Sequence, residues 1–210
     1  MIPAPTFALF MLAALALLLV PGPAVLYIIT RSVEQGRLAG AVSAAGLGLG
    51  NLIQAVAASA GLSALVLSSP LAFNVVKFAG AGYLVYAGLR KVLTKPRRLA
   101  AAERPARRLR QVFAEGVVIN TFNPKVALFF LAFLPQFVNL EAGSPAAQIF
   151  ILAASFAALG VVTDSLYALA AGSASGALRN SAFFPHFERY VSGAVFIALG
   201  ISAAFTTAAA

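Results

Sequence analysis

Six stretches of this 210-residue chain are apolar for about twenty residues each. They run approximately over 7–29, 41–67, 71–89, 112–138, 148–171 and 190–207. About 20 residues of helix, rising roughly 1.5 Å each, cross the ~30 Å hydrocarbon core of a bilayer, so the pattern predicts six transmembrane helices. Between them lie a charged turn over 31–37, Ser68-Ser69-Pro70, a basic stretch over 90–110, and polar breaks over 139–145 and 179–189. The first twenty residues lack the positive start of a secretory signal, and their apolar run continues into AVLYIIT. They are expected to form a retained first helix.

Two of the six stretches are interrupted. Pro21-Gly22-Pro23 cuts the first, and Asn120-Thr121-Phe122-Asn123-Pro124-Lys125 cuts the fourth, ahead of VALFFLAFLPQF. The halves also resemble each other. Residues 77–89 align with 189–201 at an offset of 112, and Asn51 and Gln54 fall on Asp164 and Tyr167 at an offset of 113. Three spans per half is an odd number, so the halves must insert with opposite orientation. The expected fold is an all-α membrane protein of six transmembrane helices, built as two inverted three-helix repeats with the first and fourth helices broken at proline. It forms one transmembrane transporter domain over 1–210: repeat 1 over about 1–90, a basic linker over about 91–111 and repeat 2 over about 112–210. Inverted repeats with matched helix breaks point to a secondary transporter whose site lies near the midplane.

Charge orients this plan. Of the 15 Lys and Arg, only Lys77 and Lys125 fall inside spans; the other thirteen sit in the first, third and fifth connections, and the second and fourth hold none. By the positive-inside rule those odd connections are cytoplasmic and both termini lie outside. The net charge of +9 is therefore a topology signal and not a nucleic-acid surface. Lys77 and Arg189, near the starts of their spans, read as interfacial anchors.

Composition removes several function classes. The chain is 61% hydrophobic and 10% charged, against about 25% charged in a typical soluble domain. It has no cysteine, so disulfides, thiolate metal sites and a cysteine nucleophile are excluded. The single histidine, His186, lies in a connection beside Pro185, and no HExxH, Walker A or GxSxG pattern occurs. No enzyme, cofactor or metal site is expected.

The candidate chemistry sits at the breaks. Proline suits the first position of a helix, so Pro23 and Pro124 each open a half-helix whose amides and positive dipole end favour an anion such as a carboxylate. Lys125 adds a full charge. A lysine inside a span costs about 2.5–3.5 kcal/mol on insertion scales, which a purely structural helix has no reason to bear. Asp164, the one acid well inside a span, is suited to bind a substrate ammonium, to neutralise Lys125 or to take up a proton. Asn51, Gln54, Asn120, Asn123 and Tyr167 offer neutral hydrogen bonds, to substrate or between helices. Glu115 is either a rim residue or an entrance group.

Pro21-Gly22-Pro23, the run from Val118 to Phe137 and the run from Lys77 to Arg90 together resemble the lysine-exporter and homoserine/threonine-efflux family of bacterial amino-acid exporters. The resemblance covers almost the whole chain and implies a multi-pass inner-membrane protein. Its implied activity is export of amino acids or close derivatives, driven by protons. The family's proline motifs carry over onto Pro21, Gly22, Pro23, Asn123, Pro124 and Lys125, and its fifth-helix acid onto Asp164. Many members have an acid or amide after the PGP, and an acid and a histidine in the second helix; here Ala24, Asn51 and Gln54 stand there. Proton coupling is thus expected to rest mostly on Asp164.

The expected substrate site comprises Pro21, Gly22, Pro23, Asn51, Asn120, Asn123, Pro124, Lys125 and Tyr167, with Asp164 as the ion-coupling group. The expected partners are a small amino-acid-like solute, the lipid bilayer and protons, with no nucleic acid. The Phe- and Gly-rich faces would also suit a homodimer. Export of other small solutes or metal cations, and a non-transporting scaffold, are the rival readings.

Overall fold

The computed structural model describes residues 2–68, 70–94, 106–174 and 183–205, and every regular element among them is helical. Most of the basic central connection, the connection carrying Arg179, and the side chains of Lys77 and His186 lie outside the described residues.

The first apolar stretch forms α1 (Ala4–Leu18) and α2 (Pro23–Gln35), bent by 54° across the break. Pro23 opens α2 because its missing N–H is not needed at that position, and Gly22 precedes it in an extended conformation. The charged residues after it were expected in a turn but complete α2 instead. Arg31 pairs with Glu34 one turn on, which holds both on the helix. Only Gly36 separates α2 from α3 (Arg37–Ser68), at φ 85°, a left-handed conformation that glycine adopts without the Cβ penalty. Next comes α4 (Pro70–Leu93).

The fourth stretch repeats the interrupted plan. It gives α5 (Leu109–Thr121), a break at Phe122 and Asn123, and α6 (Pro124–Phe133), which continues as a 3-10 turn over Leu134–Phe137. A second 3-10 turn (Leu140–Ala142) leads to α7 (Pro145–Ser173), and the last helix is α8 (Phe183–Phe205). Among the described residues, Arg37–Ala64, Leu109–Phe137 and Pro145–Ser173 are long and apolar enough to cross a membrane; the bent α1–α2 pair makes a fourth if counted as one span.

Glycines set the closest helix approaches. A Cβ on Gly46 would lie 2.3 Å from the Phe113 carbonyl oxygen, so α3 packs backbone to backbone on α5, and one on Gly48 would meet Val161 across the α3–α7 contact. Between α4 and α8, a Cβ on Gly88 would meet the Gly193 oxygen and Ile197, and one on Gly200 would meet the Ala81 oxygen and Val85. The two sets are related by the same offset of 112 that aligns the halves of the sequence. Small residues at such crossings permit close packing where lipid supplies no hydrophobic drive.

The core is aromatic and lies beyond the breaks, on the side of α1 and α6. Phe10 meets Phe137 edge-on at 5.4 Å, and Phe129 stacks on Phe133 at 4.9 Å. Phe130 and Phe156 complete the cluster edge-on at 5.1 Å. Together these rings fill the space among α1, α6 and α7.

Candidate functional site

The two breaks meet. Lys125, in the first turn of α6, extends its ammonium to the Val20 carbonyl at 2.6 Å, and the Tyr167 hydroxyl of α7 donates to the Leu19 carbonyl at 2.8 Å. Leu19 is the C-cap of α1 and Val20 follows it, so both carbonyls lie just past the end of the helix, where no intrahelical donor reaches them. A cation there also complements the negative end of the helix dipole. Gly22 makes room for this arrangement: a Cβ on it would stand 3.3 Å from Lys125 Cδ.

The second break is held by amides. Pro124 cannot donate to Asn120 O, four residues earlier; that oxygen accepts from Gln54 Nε2 at 2.5 Å and from the Asn123 N–H at 3.1 Å. Gln54 also reaches the Asn123 carbonyl at 3.4 Å. The Asn123 side chain accepts from the Lys125 N–H at 3.1 Å, capping α6, and donates to Asn120 Oδ1 at 3.0 Å. Asn120 in turn donates to Leu47 O at 2.7 Å, fixing the break against α3. The α2 start, by contrast, has no side-chain cap.

A cavity of about 280 Å³ opens beside the meeting point. Pro21, Gly22 and Pro23 line it from one break, and Asn123, Pro124 and Lys125 from the other. Its far wall is α4, through Tyr83, Leu84, Tyr86, Ala87, Arg90 and Lys91, with Thr94 just past the helix end; Leu128 and Phe196 close it from α6 and α8. Positions 83, 87, 90 and 94 recur at helical spacing, with 84 and 91 beside them, so one face of α4 supplies the wall.

Six of the expected site residues thus line one chamber. The rest do not line it. Asn120 and Tyr167 brace the breaks. Asn51 is 2% exposed on α3, with no hydrogen-bond partner on its Oδ1. Asp164 is buried on α7 and interacts electrostatically with Lys125. The sequence reading missed the α4 wall. Its signal was the shared helical face of Tyr83, Ala87 and Arg90, which near a span end looks the same as an interfacial belt.

A second polar cluster ties α2 to α5. Arg31, 4% exposed, contacts Glu34 at 3.3 Å and Glu115 at 3.7 Å, and Arg107 also pairs with Glu115. The Tyr27 hydroxyl donates to Val112 O at 2.8 Å and Glu115 Oε2 at 3.1 Å. Glu115 is therefore the hub of an ion-pair network at the α5 end nearest the basic connection. Among the described residues no cluster of three His, Asp or Glu side chains is placed to hold a metal ion.

Chemically, the described residues that line the chamber include Arg90, Lys91 and Lys125 and no carboxylate, and its walls are largely apolar. It suits a small solute with one anionic group and an apolar remainder.

Comparison with known proteins agrees in kind. The family described as "LysE type translocator" matches residues 15–207. Proteins named leucine efflux protein from Salmonella typhimurium (strain LT2) and Salmonella typhi are 33% identical over 147 residues, covering 69% of this chain and 68% of theirs. The leucine efflux protein of Klebsiella pneumoniae is 31% identical over the same share. No solved structure matches the chain.

Proposed function

The chain belongs to the LysE type translocator family, and from that premise and the chamber between its broken helices we propose that it exports amino acids from the cytoplasm by secondary active transport. It is a multi-pass membrane transporter and not an enzyme. The leucine named by its relatives makes aliphatic amino acids the first substrates to assay.

One observation carries the reading: Lys125, Asn123 and three prolines from two separate breaks line the same small chamber. In the proposed mechanism the substrate carboxylate meets Lys125 and the uncapped amides of α2. Asn120 and Tyr167 hold that geometry, and Asn51, buried on α3, offers its amide as a further hydrogen-bonding group. Asp164, buried on α7 and in electrostatic interaction with Lys125, is the proton-coupling group, so its charge state alters the field at Lys125.

Alternating access between two inverted repeats fits the asymmetry of the molecule. The chamber reaches the basic end of α4, the cytoplasmic side by the charge rule, whereas the phenylalanine cluster seals the opposite half. The matched Gly88 and Gly200 contacts support the repeat arrangement. The localisation that follows is the bacterial inner membrane, with both termini outside the cytoplasm.

The test is reconstitution of the full chain in proteoliposomes, with leucine, lysine, threonine and homoserine loaded inside and an imposed pH gradient. Efflux that rises with the gradient and stops when it is collapsed is the expected result. Absence of movement of any amino acid overturns the reading.

A further inference from the structure

Resting on the exporter reading and its repeat arrangement, we propose that a second chamber lies closed on the outer half, between α8 and the turn Leu134–Phe137. It is the repeat image of the first, it releases the amino acid outward, and Gln136 latches it.

Register identifies the image. The offset of 112 that relates the Gly88 and Gly200 crossings places Gly22 on Leu134 and Pro23 on Pro135, not on Pro124. The residues 112 before Asn123 and Pro124 are Met11 and Leu12, inside the unbroken α1. The turn where α6 gives way to a 3-10 segment is therefore the second repeat's equivalent of the first break. The same offset carries Tyr83, Ala87 and Lys91, which line the chamber from α4, onto Val195, Leu199 and Ala203 of α8. Leu84 and Phe196 exchange with each other, and both line the chamber. A pair that exchanges lies near the axis relating the halves, so the image chamber continues from the first, past Leu84 and Phe196, toward the outer side.

That image is packed shut. Leu134, Leu199 and Ala203 are buried in one apolar cluster with Phe133 and Phe137, and Val195 packs against it. Gln136, 7% exposed, donates to the Ala132 carbonyl in the last turn of α6 and reaches the Ala203 carbonyl of α8 at 3.4 Å. This contact joins the turn to α8. The corresponding elements of the first repeat, the Pro21–Pro23 break and α4, stand on opposite walls of the open chamber. One half is open where the other is closed. Two halves of like build that trade conformations convert one state into the other, so parting the turn from α8 uncovers the outer walls as the inner ones come together. A single hydrogen bond suits such a latch, because it favours one state by a margin that turnover can reverse. The uncovered walls are apolar with one amide, which fits an amino acid with an aliphatic side chain.

The chain has no cysteine, so single cysteines report accessibility without background. The experiment labels Val195→Cys, Leu199→Cys and Ala203→Cys from outside with a membrane-impermeant maleimide, in right-side-out vesicles loaded with leucine, and follows export in the same samples. All three should label, faster with leucine and a pH gradient than without, whereas Ile201→Cys on the exposed face of α8 stays unlabelled. Val195→Cys and Ala203→Cys, close in size to the native residues, cover the case in which Leu199→Cys fails to assemble. Gln136→Leu should raise outside labelling of Leu199→Cys about two- to tenfold, the worth of one net hydrogen bond, and lower inside labelling of Ala87→Cys in the inner chamber. Absence of outside labelling at all three positions in variants that still export overturns the outer chamber and leaves the exporter standing. Labelling that Gln136→Leu leaves unchanged overturns the latch. Failure of the wild type to export any amino acid overturns the exporter reading instead.

Discussion

Lys125 Nζ lies 2.6 Å from the Val20 carbonyl oxygen, so the cation of one broken helix caps the end of the other. The lysine therefore has two duties, holding α1 and facing the chamber. Lys125→Met should abolish export, by about a hundredfold or more if it removes a charge-assisted contact made in a low-dielectric site. Transport and membrane abundance are measured together. Near-normal export from Lys125→Met would remove the proposed carboxylate site.

Asp164→Asn separates binding from coupling. The variant should lose export driven by a pH gradient, by about tenfold or more, yet keep leucine exchange across the membrane at equal pH. Gradient-driven export at the wild-type rate would exclude Asp164 as the coupling group.

Gln54 donates to the Asn120 carbonyl that Pro124 leaves open, and reaches the Asn123 carbonyl beside it. Gln54→Leu removes one donor from each of the Asn120 and Asn123 oxygens, which keep the N–H groups of Asn123 and Ala127, so the expected loss is that of one net hydrogen bond, about 0.5–1.5 kcal/mol. Thermal unfolding in detergent reads the change, and an unshifted midpoint would show that another donor replaces the glutamine.

Gly88 and Gly200 should behave as a pair. Leucine at either position collides with backbone oxygen on the facing helix, at a cost of about 1–3 kcal/mol in each case. The informative result is equality. A large loss at one and none at the other would argue against equivalent packing by the two halves.

Glu115→Gln weakens the tie between α2 and α5, leaving the buried Arg31 with Glu34 as its remaining carboxylate. Breaking a fully buried pair costs about 3–5 kcal/mol; the Glu115 side chain is 30% exposed, so solvent screening reduces the expected loss to about 1–2 kcal/mol. The effect should shrink at high salt, read as a smaller shift in unfolding midpoint.

The sequence disclosed most where a residue's chemistry is unusual for its surroundings. Proline in an apolar run has few roles, and α2 and α6 do begin at Pro23 and Pro124. Lysine between apolar neighbours needed a partner, though nothing in the spacing named Val20. Less was visible where a side chain has many uses. Tyr83 and Tyr86 suit a lipid interface as well as a chamber wall, and only the placement of α4 against both breaks distinguishes the two. Gln54 and Asn120 each offered bonds to substrate or to a helix, and in the structure both donate to backbone carbonyls of facing helices. The stretch after Ile29 looked like a turn because it is charged; pairing of Arg31 with Glu34 and Glu115 keeps it helical.

Gly36 is the sole residue between α2 and α3, and a Cβ on it would find nothing within 4 Å. A joint of one residue leaves no slack. Any tilt of α2 about Pro21–Pro23 must drag the near end of the 32-residue α3 with it. Such a tilt would couple α2 and α3 as a geared lever, with its fulcrum in open space, where a larger residue would strain the backbone and not the surroundings.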